Sequence, residues 1–128
     1  MNRVLLDTCV LIDAAQGDLR PSTRMLLGRA TTERTLSAIS VTEIAIKTSI
    51  GKLNIPDERL LQILDDLMIA VIPHTARHAR RLYGLPLHHR EPFDRMLIAT
   101  ALVEDIPVLT PDREFLKYRD IGLKVIPA

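Results

Sequence analysis

Two hydrophobic periods divide this chain. Short apolar runs stand at residues 4–6 (VLL), at roughly 35–39 (TLSAI), and at 108–109 (VL) after Pro107. Runs of that length, with little alternation, predict strands buried on both faces of a parallel sheet. Residues 70–72 and 124–126 are two further candidates, each ended by a proline that a sheet edge tolerates. Between them the apolar positions recur at helical spacing. Residues 41–49 are apolar at Ile44 and Ala45, with Thr48 on the same face; Leu60, Leu61, Leu64, Leu67 and Met68 form a second stripe. Residues 93–103 form a third, opened by Pro92 at a first-turn position and closed before Asp105-Ile106-Pro107. Strands alternating with helices predict an α/β fold in three layers, a mostly parallel central sheet flanked by helices with right-handed crossovers. With no internal repeat, low-complexity tract or linker, residues 1–128 read as one domain.

Composition narrows the class. At 128 residues and 47% hydrophobic, the chain buries a core and is not disordered. A lone cysteine, Cys9, forms no internal disulfide and is read as a small buried side chain; this suits a reducing cytosol. The opening MNRVLLDT has no apolar signal core, and no apolar run approaches the roughly 20 residues of a membrane helix, so a cytoplasmic location is expected. Net charge is only +1, no argument for nucleic acid by itself. Aromatics at 3% and the absence of Trp exclude a stacking platform for bases. Any nucleic-acid contact would rest on phosphate charge and shape.

Four acids follow predicted strand ends or open predicted helices, where ligand chemistry gathers in such sheets. Asp7 leaves the first strand; Glu43 is expected in the first turn of the helix after the second; Thr110 and Asp112 leave the strand ending at Leu109; Asp94 lies in the first turn behind Pro92. Each has an ordinary explanation. Ser40-Val41-Thr42-Glu43 has the form of a capping box, Thr110-Pro111-Asp112 that of an N-cap with first-turn proline and acid, and Asp7 and Asp94 suit helix starts. Their joint placement argues for more. Four converging carboxylates repel one another unless a cation neutralises them, and hard ions such as Mg²⁺ and Mn²⁺ prefer oxygen ligands. Such a site supports phosphodiester hydrolysis by water.

The blocks LLDTCVLID (residues 5–13), SAISVTEIAIKTSIGKL (37–53), HHREPFDRMLIATAL (88–102) and VLTPDREF (108–115) resemble PIN domains, most nearly VapC-type toxins of bacterial toxin–antitoxin pairs. The resemblance implies a Mg²⁺- or Mn²⁺-dependent endoribonuclease that cuts RNA, is silenced by a cognate antitoxin and forms a homodimer. It makes Asp7 the first acid and direct metal ligand, with Glu43, Asp94 and Asp112 as the second, third and fourth. Thr110 becomes the hydroxyl residue that orients the last acid or a water. Two positions depart from many relatives: Thr42 stands where they carry Trp, and Glu91 where they carry Asp.

Other residues invite lesser roles. Arg90 and Arg95 flank Asp94 and are candidates for RNA phosphate; Arg77, Arg80 and Arg81 share a helical face and serve either phosphate or solvent. Lys47, one turn after Glu43, can pair with it or face RNA. His88 and His89 lack the i, i+4 spacing of a zinc helix and read as exposed loop residues. Two other functions fit the pattern less well. A phosphatase or phosphotransfer domain would place an acidic pair after the first strand, where this chain has Asp7-Thr8-Cys9. A non-catalytic α/β binding module would use the acids only as caps.

Overall fold

The computed structural model describes residues 2–128. Five strands, β1 (Asn2–Leu6), β2 (Thr32–Ser37), β3 (Ala70–Ile72), β4 (Val108–Thr110) and β5 (Val125–Pro127), form one sheet in the order β3-β2-β1-β4-β5. Every pairing is parallel, so the expected mostly parallel sheet is wholly so. The helices are α1 (Thr8–Gln16), α2 (Pro21–Leu27), α3 (Ala38–Ser49), α4 (Asp57–Asp66), α5 (Ala76–Arg80) and α6 (Pro92–Glu104), with successive 3₁₀ turns over Arg113–Ile121. Among the described residues no helix is long and apolar enough to cross a membrane.

The central strands explain the layering. Side chains alternate across a sheet. In β1, Val4 and Leu6 enter one core with Leu11, Leu36 and Ile44, while Leu5 enters another with Leu97, Ile98 and Phe115. In β4, Leu109 joins the first core and Val108 the second. Both faces of the sheet are therefore covered, and the central strands read as unbroken apolar runs. The chain builds outward from β1 through β2 to β3, then crosses to β4 and β5 on the other side. The switch point lies between the carboxyl ends of β1 and β4, the place where such sheets gather their ligand chemistry.

Boundaries moved in three places. The second strand ends at Ser37, not near residue 39, because Ser37 caps α3 by accepting the Ile39 amide at 3.1 Å. The capping box over Ser40 to Glu43 does not form; both lie inside the helix, and Glu43 stands in its second turn, not its first. Met68 leaves the helical stripe: α4 ends at Asp66, and Met68 takes a positive φ of 53° with its side chain exposed. The sequence reading had no helix over Thr8–Gln16 or Pro21–Leu27; α1 closes on Gly17 at φ 76°, a conformation that suits glycine.

Candidate active site at the carboxyl edge of the sheet

Asp7 is fixed from both sides of the switch point. Its amide donates to the Leu109 carbonyl of β4 at 3.0 Å, and its own carbonyl accepts the Val10 amide at 3.0 Å in the first turn of α1. The side chain is buried, with no capping bond of its own. Thr110 donates its hydroxyl to Asp7 Oδ2 at 2.6 Å and accepts the Asp112 amide at 3.0 Å. Thr110 is thus not the helix cap its sequence suggested. It orients the first acid and fixes the backbone of the fourth. Asp112 itself caps the 3₁₀ segment, its Oδ1 accepting the Glu114 amide at 2.9 Å.

Glu43 reaches the same edge from α3. Its Oε2 lies 2.8 Å from Lys47 Nζ, one turn on, as the i, i+4 spacing anticipated. A buried hydroxyl pair, Thr8 donating to Ser40 at 2.8 Å, ties the start of α1 to α3 beneath it. Asp94 sits in the first turn of α6, where its amide donates to the Glu91 carboxylate at 2.7 Å. Glu91 therefore caps this helix.

Electrostatics mark the site as short of positive charge. Burial raises the Asp7 carboxyl above its ordinary value; the Thr110 hydrogen bond opposes this, and the charges of Glu43 and Asp112 add to it. Burial, then the Asp7 charge, pushes Asp94 up to about 7 against partial relief from His89. Asp7 Oδ1 and Glu43 Oε1 are buried without any partner. A buried polar atom left unsatisfied costs about 1–3 kcal/mol, more when charged. Its presence in a fold calls for an explanation such as a bound ion. Ligand atoms of Asp94, Asp112 and His89 lie within 4.8 Å of one another, and the unpartnered carboxylate oxygens of Asp7 and Glu43 are donors of the kind a hard divalent cation prefers.

The shift on Asp94 gives a pH dependence with a definite sign. The unfolded chain releases this proton near 3.8 and the fold only near about 7, so the folded state binds the proton more tightly. Metal-free protein is therefore expected to lose stability as pH rises from about 4 to about 7, then level off. Asp94→Asn should flatten that decline and stabilise metal-free protein at pH 8. Urea melts of both proteins in chelator check it; a wild type that gains stability over this range would contradict the reading.

The remaining candidates separate. Arg90 is exposed and Arg81 half-buried, both with side chains available at the surface. Arg95 is half-buried and committed to the backbone: it donates to the carbonyls of Leu85 (3.2 Å), Pro86 (3.0 Å) and His89 (3.1 Å), a structural duty that its place beside Asp94 did not suggest. Cys9 is exposed, not buried, because α1 turns it outward at the rim. Partial desolvation and the neighbouring acids push its thiol up to about 12, which keeps it protonated and a poor nucleophile. Sequence reasoning undervalued His89. Its Nε2 lies 2.8 Å from Asp94 Oδ2 and 3.0 Å from Asp112 Oδ2. Spacing along the chain gave no hint of that, since the partners come from α6 and from the turn after β4. A cavity of about 550 Å³ opens at the opposite end of the sheet among Arg3, Thr31, Asp105 and Pro107.

The chain matches the family model for the PIN domain over residues 4–121. No curated protein matches it in sequence. Among solved structures it is similar to VapBC2 from Rickettsia felis bound to a DNA fragment from its promoter (TM-score 0.68, 16% identity, 98% of each chain covered). It is also similar to DNA-bound VapBC from Salmonella typhimurium (TM-score 0.66, 20% identity, 99% of this chain and 98% of that one). VapBC-5 from Mycobacterium tuberculosis gives a TM-score of 0.66 at 16% identity, with both chains covered in full.

Proposed function

This chain belongs to the PIN domain family, and from that membership we propose that it is a metal-dependent endoribonuclease, the toxin of a toxin–antitoxin pair. The observation that carries the proposal is the pair of buried, partnerless oxygens, Asp7 Oδ1 and Glu43 Oε1, beside an Asp94 carboxyl held up to about 7. Capping does not account for them. Glu43 lies inside α3, and the Asp7 side chain makes no capping hydrogen bond to α1.

Asp7, Glu43, Asp94 and Asp112 would hold Mg²⁺ or Mn²⁺. When bound, such an ion lowers the pKa of a water, polarises a phosphoryl oxygen and stabilises charge on the leaving oxygen. The protein's own residues do the positioning. Thr110 holds Asp7 in one orientation through its 2.6 Å bond and sets the backbone from which Asp112 projects. Lys47 balances part of the Glu43 charge. Arg90, Arg81 and Lys47 supply positive charge for the RNA backbone, which fits a chain with few aromatics for stacking. Cys9 is a poor covalent nucleophile, since partial desolvation and the neighbouring acids keep its thiol protonated.

The named neighbours, VapBC assemblies and a toxin–antitoxin complex from Klebsiella pneumoniae, support a cognate antitoxin as partner, and the resemblance to VapC toxins supports a homodimer in the cytoplasm. Purified, antitoxin-free protein incubated with total cellular RNA should yield discrete fragments in Mg²⁺ or Mn²⁺ and none in chelator. Intact RNA in every condition, together with a melting temperature that ignores divalent ions, would return the acids to helix caps and the chain to a binding module.

A further inference from the structure

His89 touches the carboxylates of two of the four acids at once. Its Nε2 lies 2.8 Å from Asp94 Oδ2 and 3.0 Å from Asp112 Oδ2, and one atom from each of the three falls within 4.8 Å of the others. On the far side of the ring, the Glu91 amide points at Nδ1 at 3.5 Å. An N–H facing Nδ1 makes that nitrogen the acceptor, which places the proton of a neutral imidazole on Nε2. The ring is then a donor toward the acids and has no free lone pair there for a metal.

The backbone beneath the ring is clamped. The His89 amide donates to the Tyr118 hydroxyl at 2.9 Å, and that hydroxyl donates to the Pro86 carbonyl at 2.6 Å. Arg95 donates to the Pro86 and His89 carbonyls from the other side. The imidazole rests edge-on against the buried Phe115 ring, centroids 5.9 Å apart. A loop held at this many points presents its side chain in one place.

We propose that His89 is a positioning residue of the metal centre: its Nε2–H ties the third acid, Asp94, to the fourth, Asp112, and fixes their carboxylates for the ion without ligating it. The inference rests on the proposed metal-dependent reading of the site. Its physical basis is that carboxylates at a metal are themselves oriented by hydrogen bonds from outside the coordination sphere. Asp94 and Asp112 come from different elements, and each carboxylate turns freely about its own bonds unless something links them. Asp112 Oδ1 is anchored by the Glu114 amide, so the contact to Oδ2 completes the orientation of that group.

The test is Mn²⁺ binding by calorimetry to metal-free wild type, His89→Ala, His89→Gln and Asp7→Asn, with pulsed EPR of Mn²⁺ on the wild type and circular dichroism as a check of folding. Loss of an outer hydrogen-bond donor typically costs about 10–100-fold in metal affinity. His89→Ala is expected to weaken Mn²⁺ by that much, and His89→Gln, whose amide reaches the Nε2 position and still donates, to recover most of it. No nitrogen coupling from a directly bound imidazole is expected. Such a coupling would overturn the proposal by making His89 a ligand. Equal or tighter binding by His89→Ala would overturn it too, the tighter case marking the imidazole as a plug the ion displaces. If Asp7→Asn abolishes wild-type binding while His89→Ala leaves it intact, the proposal alone fails. If the wild type binds no Mn²⁺, both the proposal and the metal-dependent reading fail.

Discussion

Asp7→Asn is expected to reduce metal-dependent RNA cleavage by more than about 100-fold while leaving the fold intact. Replacing a partner that only orients a metal ligand already costs about 10–100-fold, and Asp7 would be a ligand itself. The substitution keeps the shape and removes the charge. The Asn carbonyl can still accept the Thr110 hydroxyl that now donates to Asp7 Oδ2 at 2.6 Å, so the link between β1 and β4 keeps its geometry. Burial already disfavours the charged Asp7 carboxylate, and Glu43 and Asp112 disfavour it further. The neutral variant should therefore melt at the same or a higher temperature than wild type in chelator, and no longer gain stability when Mg²⁺ is added. Gel assays of RNA cleavage, paired with melts in chelator and in Mg²⁺, read both halves. A variant that cleaves at the wild-type rate would remove Asp7 from the chemistry. One that loses activity because it has unfolded would show it in the melt.

Arg95→Ala should cost about 3 kcal/mol of stability, since hydrogen bonds from a charged donor contribute about 1.5–3 kcal/mol each and the three carbonyls it serves do not all find new donors. Pro86 keeps the Tyr118 hydroxyl; the Leu85 and His89 carbonyls lose the guanidinium. For a domain of this size the expected fall in melting temperature is about 10 °C. Arg95→Lys should recover only part of it, because one ammonium cannot span the carbonyls that a planar fork reaches. Thermal and urea melts in chelator decide between this and the phosphate role that the sequence suggested. A phosphate contact predicts unchanged stability and a higher KM for RNA; the structural clamp predicts lost stability even with no RNA present.

Much of this architecture is written in local pattern. Residues 4–6 and 108–109 are apolar without alternation because both faces of β1 and β4 are covered, so their sequence alone marks central parallel strands. Pro92 and the apolar repeat behind it announce α6 for an equally local reason: a proline suits a first turn, and helical spacing builds one buried face. The four acids could be picked out because strand ends and helix starts in such a sheet meet at one edge. Boundaries were less legible where two residues compete for one task. Ser37 and Ser40 are both fit to cap α3, and only the path of β2 into the helix selects Ser37. Glu43 consequently moved one turn deeper, into the helix body.

Local pattern carried the α/β alternation, the central strands and the choice of candidate acids, all of which depend on residues near one another in the chain. Tertiary structure decided which groups meet across long separations. Arg95 became a clamp because the loop over residues 85–89 folds its carbonyls onto the guanidinium. His89 became a neighbour of Asp112, 23 residues away, because β4 lies beside β1 and brings its turn to the same mouth as α6. Hydrophobic periods are set by the geometry of one element and can be counted along the chain. A hydrogen bond between two elements depends on their relative placement, which no local period encodes.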